Sequence, residues 1–178
     1  MGCISLLRIA DRHGEHMSEP DRTDRPRHVY LVGSSGGHLA QLVALRPWWS
    51  SWRRTWVTFD TQDAVSLLRE EREEEVHWAF SPTTRSLPNL ARNLALAVRL
   101  LRDDRPDLVV SAGAGVALPF FAFARVLRIP TAYIEVYDRI DTPTLTAKLC
   151  RPFTTLSCVQ WEEQRSFSPR AHVIGPLL

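Results

Sequence analysis

The chain has 178 residues, 44% of them hydrophobic and 24% charged, with a formal net charge of +2. That is enough for one domain with a real core and too little for two full-sized ones, and the near-cancelling charge excludes disorder throughout. Three cysteines (Cys3, Cys150, Cys158) at no metal-ligand spacing exclude a disulfide scaffold and fit a reducing cytosol, and balanced charge with Lys148 the only lysine gives no strong field for nucleic acid.

Residues 1–27 make a poor folding unit. Between Asp11 and Arg27 the sequence is mostly Asp, Glu, Arg, His, Pro and Ser, which reads as a disordered tail or as an over-extended start with Met17 as the true beginning. The apolar stretch Ile4 to Ala10 is broken by Arg8 and lacks a small-residue cleavage site. Leu6 stands where myristoylation needs Ser or Thr. The longest uncharged run, Leu108 to Ala124, contains Gly113, Gly115 and Pro119 and has 17 residues, short of the roughly 20 that span a bilayer. The expectation is one domain over residues 28–178, soluble or on a membrane surface.

An alternation of strands and helices then begins. His28 to Val32 predicts a strand, Gly33 to Gly37 a loop, and His38 to about Arg46 a helix closed by Pro47. Arg54 to Phe59 predicts the second strand, Gln62 to Glu71 a helix with Val65 and Leu68 on its apolar side, and Val76 to Phe80 the third strand. Asn89 to Arg102 is an amphipathic helix with Leu90, Leu94, Ala97 and Leu101 at helical spacing behind Pro88. Leu108 to Ser111 is a fully apolar strand of the buried parallel type, and Gly113 and Gly115 open a helix to about Leu127. Thr131 to Val136, Thr154 to Val159 and Ala171 to Ile174 are the last strands, separated by helices at Thr144 to Leu149 and from Trp161. Such alternation predicts an α/β fold, a Rossmann-like open parallel sheet with helices on both faces. Ligands of such sheets bind at the carboxyl ends of the strands.

At the first strand end stands Gly33-Ser34-Ser35-Gly36-Gly37-His38. It is neither the dinucleotide fingerprint, whose third glycine would fall at His38, nor a P-loop. Glycines still let the backbone approach a ligand, and the following helix presents N–H groups and a positive dipole end, so Gly33, Ser34, Ser35, Gly36 and Gly37 are candidates for binding a phosphate or pyrophosphate. Two roles fit His38: general base on a hydroxyl, or hydrogen-bonding cap. A second glycine loop with Gly113 and Gly115 follows the fourth strand near the expected switch point. The helix after it carries Phe120 and Phe121, which are either core or, on the sharper reading, lipid contacts. Glu135 lies in the apolar run Tyr133 to Val136, where a carboxylate is expensive unless paired or used. Asp138 and Arg139 after it suit sugar hydroxyls or a phosphate, or one another. The glutamates from Glu70 to Glu75 suggest a solvated helix end, Trp48, Trp49 and Trp52 a packed corner rather than a membrane anchor, and Arg85, Arg92 and Arg99 an exposed face or a headgroup contact. There is no clear Asp-x-Asp metal site, and no metal or cofactor is expected.

Together these strings resemble a known family. Val32 to Leu39, Trp56 to Asp60, Pro106 to Ala114, Ile134 to Thr146 and Val159 to Glu163, in this order and spacing, are similar to the asparagine-linked glycosylation protein 14 family, above all its bacterial members from exopolysaccharide and capsule biosynthesis. The resemblance covers residues 28–178. It implies the N-terminal half of a GT-B glycosyltransferase, with a separate protein supplying the donor-binding C-terminal half. The pair would work at the cytoplasmic membrane face, moving a sugar from a UDP donor to a lipid-linked acceptor. A related unsplit enzyme, the peptidoglycan N-acetylglucosaminyltransferase, has a similar glycine loop ending in histidine and a glutamate to which Glu135 corresponds. The expectation is therefore an acceptor- and membrane-side subunit, with N-acetylglucosamine, glucose or galactose as the sugar. His38 would be the base and Glu135 the second candidate, with the glycine loops, Asp138 and Arg139 on the substrate and Phe120 and Phe121 at the bilayer. Two other classes stay open. One is a non-catalytic scaffold that recruits the catalytic half. The other is a free-standing nucleotide-dependent oxidoreductase, against which the broken fingerprint counts.

Overall fold

The computed structural model describes residues 27–69 and 75–178. The expectations for the tail, with Cys3 and Met17, and for Glu70 to Glu74 lie outside the described residues. Among the described residues seven strands, β1 (His28–Val32), β2 (Arg53–Phe59), β3 (Glu75–Ala79), β4 (Leu108–Ser111), β5 (Thr131–Ile134), β6 (Leu156–Val159) and β7 (His172–Val173), form one sheet in the order β3-β2-β1-β4-β5-β6-β7. Every neighbouring pair is parallel. Among the described residues six α-helices accompany them: α1 (Gly37–Ala44), α2 (Arg46–Trp49), α3 (Gln62–Leu67), α4 (Leu87–Asp103), α5 (Ala117–Val126) and α6 (Leu145–Cys150). The expected Rossmann-like open sheet is the fold.

β1 is buried along its whole length, as a central parallel strand must be when helices cover both faces. Successive side chains alternate between two cores. Val29 and Leu31 join the layer under α1, α2 and α3, with Leu39, Leu42, Trp49 and Trp56. Tyr30 and Val32 join the layer under α4, α5 and α6, with Leu101, Phe120 and Phe121. The strand order reverses between β1 and β4, which places the switch point there.

Several expectations change in detail. Phe120 and Phe121 are 0% exposed, so neither reaches a bilayer: α5 lies flat on the sheet and both rings complete the second core. Pro47 does not stop a helix; α1 ends at Ala44 and Pro47 sits in the first turn of α2, where its missing N–H has no helical partner to lose. Val65 is exposed, and α3 instead buries Ala64, with Leu68 just beyond its end. α4 is capped by Ser86, whose hydroxyl accepts from Asn89 N at 3.4 Å. Its buried face is Asn89, Asn93, Leu96, Ala97, Leu100 and Leu101, while Leu90 and Leu94 are exposed. Asn93 takes the inward position because its amide pairs with both backbone groups of Phe80, at 2.9 Å each. Asn89 Nδ2 donates to Pro82 O at 3.0 Å. Buried amides satisfied in this way displace leucine without a desolvation penalty left over.

Trp48, Trp49 and Trp52 are buried at the α1–α2 corner. Trp49 meets Trp56 edge-on at 5.6 Å and donates its indole N–H to Leu42 O at 2.9 Å, so packing rather than membrane anchoring accounts for them. Among the described residues no helix is long and apolar enough to cross a membrane.

Candidate functional site

The carboxyl ends of β1 and β4 lie side by side, with Val32 opposite Ser111. Two loops leave this point. Residues 33–36 lead into α1, and residues 112–116 lead into α5. Gly36 has φ 69° and Gly113 φ 117°, backbone conformations that glycine enters without a Cβ clash. Ala114 follows with φ 70°, which costs an L-residue about 1–2 kcal/mol. The loop is folded on itself by Ser111, whose hydroxyl accepts from Gly113 N at 3.1 Å and donates to Gly113 O at 3.2 Å. Strain held by surrounding bonds is a property of binding and catalytic loops.

His38 joins the two loops. Its Nδ1 lies 2.8 Å from Ala112 O. A carbonyl only accepts, so Nδ1 carries the hydrogen and Nε2 is the lone-pair nitrogen of the neutral ring. Among the described residues Nε2 has no hydrogen-bond partner, and the side chain is half-buried. The ring rests on Gly113: a Cβ there would lie 2.9 Å from His38 Cε1 and 3.0 Å from Nδ1, with Tyr133 OH at 3.4 Å. Gly113 is the residue that admits the imidazole.

Tyr133 starts a directed polar chain. Its hydroxyl is 3.1 Å from Thr144 Oγ1, which is 3.0 Å from Glu135 Oε1. Thr144 Oγ1 also accepts from Ala147 N at 3.1 Å as the cap of α6. Thr144 has one hydroxyl hydrogen and gives it to the carboxylate, so Tyr133 donates to Thr144. Glu135 is 3% exposed. Its oxygens accept from Val136 N (3.2 Å), Thr144 N (3.3 Å) and the Thr144 hydroxyl. Burial raises its pKa above the ordinary carboxylate value, while these bonds and the charge of Arg139 act the other way.

The remaining sequence-derived candidates fall around this centre. Gly33 is buried and donates its N–H to Val57 O at 3.0 Å. Ser34 and Ser35 are half-buried, and Gly36 and Gly37 are exposed. Gly36 N donates to Asp63 Oδ2 at 2.7 Å, so the glycine loop already faces a carboxylate from α3. Beside it a depression of about 440 Å³ is lined by Asp60, Thr61, Gln62, Val65 and Ser66. Gly115 lies under Thr83, whose Cβ would be 2.9 Å from an added methyl. Asp138 and Arg139 are exposed, with no ion pair between them among the described residues. The structure thus groups Gly33 to Gly37, His38 and Gly113, sets Glu135 behind Tyr133 and Thr144, and leaves Phe120 and Phe121 out. It adds Asp63, Tyr133, Thr144, Gln160 and Gln164. Thr144 was readable as a Thr before a helix, whereas Asp63 carried no local signal. Among the described residues no three His, Cys, Asp or Glu side chains converge as a metal site.

Comparison with known proteins is consistent across sequence and fold. The family model described as oligosaccharide biosynthesis protein Alg14 like matches residues 28–177. The UDP-N-acetylglucosamine–N-acetylmuramyl-(pentapeptide) pyrophosphoryl-undecaprenol N-acetylglucosamine transferase of Synechococcus sp. is 30% identical over 121 residues, 65% of this chain and 33% of that protein. The chain therefore spans about one third of the length of this relative. Among solved structures, Acinetobacter baumannii MurG superposes with a TM-score of 0.62 at 19% identity, covering 78% of this chain and 43% of that one. The UDP-N-acetylglucosamine 2-epimerase of Rickettsia bellii superposes at 0.68 with 12% identity, covering 86% and 46%. At these identities the superpositions establish the fold, that of a GT-B N-terminal half.

Proposed function

The chain belongs to the Alg14-like oligosaccharide biosynthesis family, and from that premise we propose that it is the acceptor-side half of an inverting UDP-sugar glycosyltransferase. A separate protein supplies the donor-binding half. The complex works on a lipid-linked acceptor at the cytoplasmic membrane face in polysaccharide biosynthesis, exopolysaccharide or capsule included. The observation that carries this reading is the His38 Nδ1 bond to Ala112 O, which leaves Nε2 as a proton acceptor where the two glycine loops meet.

The acceptor hydroxyl oxygen attacks the anomeric carbon of the donor. The new glycosidic C–O bond forms as the bond to the UDP oxygen breaks, the hydroxyl proton goes to His38 Nε2, and UDP leaves as the anion. His38 is preferred to Glu135 as base because the Glu135 oxygens already accept three hydrogen bonds. The N–H groups of Ser34 to Gly37 at the start of α1, with those of the loop at Gly115, bind pyrophosphate oxygens of acceptor or donor, while Gly33 and Gly113, whose N–H groups are held by Val57 O and Ser111 Oγ, leave room for the ligand to approach. Asp63 yields its place at Gly36 when a phosphate arrives. Asp138 and Arg139 orient the acceptor. With Phe120 and Phe121 buried, membrane attachment runs through other residues or through the partner.

The test is transfer of radiolabelled sugar from a panel of UDP-sugars to membrane lipid extract. The chain is assayed alone and with the candidate donor-half protein, as wild type and as His38→Ala. Incorporation only with both proteins, reduced about 10²–10⁴-fold by His38→Ala, is the expected result. Full turnover of the folded complex with His38→Ala, and likewise with Glu135→Ala, would reassign the chain as a non-catalytic scaffold.

A further inference from the structure

The string Val159-Gln160-Trp161-Glu162-Glu163 marks the family resemblance, yet no step of the proposed reaction uses it. Its side chains, with Gln164, sit where β6 enters a short 3-10 turn (Glu162–Ser166). Gln160 is 1% exposed and Gln164 0%.

Gln164 is fully engaged. Its Oε1 accepts from Gln160 N at 2.7 Å and Trp161 N at 3.1 Å. Its Nε2 donates to Val136 O and to Arg139 O, both at 2.8 Å. Between those carbonyls, Tyr137 O accepts from the Trp161 indole at 2.8 Å. Three of four consecutive carbonyls of the loop after β5 are therefore held from one side. The side chains of the same loop, Tyr137, Asp138, Arg139 and Ile140, are exposed. Gln160 connects this loop to the histidine. Its Nε2 donates to Glu135 O at 2.9 Å and to Gln41 Oε1 at 2.6 Å, and Gln41 lies on α1, one turn after His38. Its Oε1 accepts from Leu177 N at 3.0 Å. Neither amide can flip without setting donors against donors.

An exposed loop ordinarily leaves its carbonyls to water. Here side-chain donors hold the backbone from which an exposed aromatic ring, a carboxylate and a guanidinium project. We propose that Gln160, Trp161 and Gln164 are positioning residues: they hold the Val136–Arg139 backbone and the His38 helix in one rigid frame, so that the loop is pre-organised for the sugar-pyrophosphate part of the acceptor. Binding to a pre-ordered loop avoids the entropy of ordering it in the complex. This inference rests on the acceptor-side reading above for its ligand, but not for the clamp itself.

The test uses the full chain as wild type, Trp161→Phe and Gln164→Glu. Trp161→Phe removes one donor from a half-buried ring. Gln164→Glu keeps the acceptor oxygen and removes both donors. Limited trypsin digestion is followed by the fragment that begins at Ile140. Loss of one clamp bond is expected to speed cleavage after Arg139 by about fivefold or more, with the melting temperature of Trp161→Phe close to wild type. In the two-protein transfer assay, the same variants raise KM for the lipid-linked acceptor by a similar factor, with kcat within about twofold. Unchanged cleavage after Arg139 in both variants overturns the clamp. Faster cleavage with unchanged acceptor KM overturns its role in positioning. Should the wild-type complex transfer no sugar, the acceptor-side reading fails, and the digestion alone still decides whether the clamp exists.

Discussion

Replacing Gly113 by alanine tests the site's geometry without substituting a charged or catalytic side chain. The added Cβ would lie 2.9 Å from His38 Cε1 and 3.0 Å from Nδ1, and the backbone would have to keep φ 117°. Holding an L-residue there costs about 1–3 kcal/mol. Pushing a packed ring aside costs about 1–3 kcal/mol more. The expected loss is therefore about 2–6 kcal/mol, a large share of the total stability of an ordinary domain. Gly36 and Gly37 are the controls. Gly36 has φ 69° but open space, and Gly37 has neither constraint. Gly36→Ala should cost about 1 kcal/mol from its backbone alone, and Gly37→Ala should stay within about 0.5 kcal/mol of wild type. Urea unfolding followed by the fluorescence of the buried Trp49 and Trp56 measures all three. A Gly113→Ala protein within about 0.5 kcal/mol of wild type, or a Gly37→Ala protein as damaged as Gly113→Ala, would refute the contact between this glycine and the imidazole.

Two further outcomes follow from buried titratable groups. Burial raises the Glu135 pKa, so the folded chain binds that proton more tightly than the unfolded one; the stability linked to it is complete below the ordinary carboxylate value and is lost as pH rises through the raised one. Unfolding free energy of wild type minus that of Glu135→Gln should therefore fall with rising pH across the acid range, and a difference that grows with pH would show that the three donated hydrogen bonds outweigh burial. Cys150 and Cys158 are buried thiols pushed up to about 12. They should resist alkylation at pH 8 until the chain unfolds, so rapid labelling of Cys158 in the native protein would contradict the packing of β6.

The layering of the fold was legible because its causes are local. Apolar runs such as Leu108 to Ser111, each followed by a glycine loop, announce parallel strands feeding helices, and both glycine loops do meet at the switch point. His38 could be singled out by position, but not its tautomer, since Ala112 O lies 74 residues away. α4 shows why periodicity misleads. Leu90 and Leu94 fit a helical stripe, yet Asn89 and Asn93 hold the buried side because they reach the backbone of Phe80 and Pro82. No hydrophobicity pattern contains those long-range partners. Phe120 and Phe121 show the converse error, with a dense aromatic stretch given a membrane role when the second core needed the volume. Gln160 and Gln164 read as ordinary polar residues after a strand. Their meaning lies in the carbonyls of residues 135–139, which only the folded chain brings near.

The strand order also governs how the site is assembled in time. β1, β2 and β3 with the first three helices arise from one continuous stretch, but β4 must travel past α4 and insert along the free edge of β1 before Ala112 can meet His38. Such a pairing is distant in sequence and slow to form, and until it forms the edge of β1 is open to other strands. A chain cut between Asp103 and Leu108 would thus yield two pieces, each carrying half of the centre and neither able to anchor the imidazole. Their reassociation would restore the sheet and the histidine in a single event.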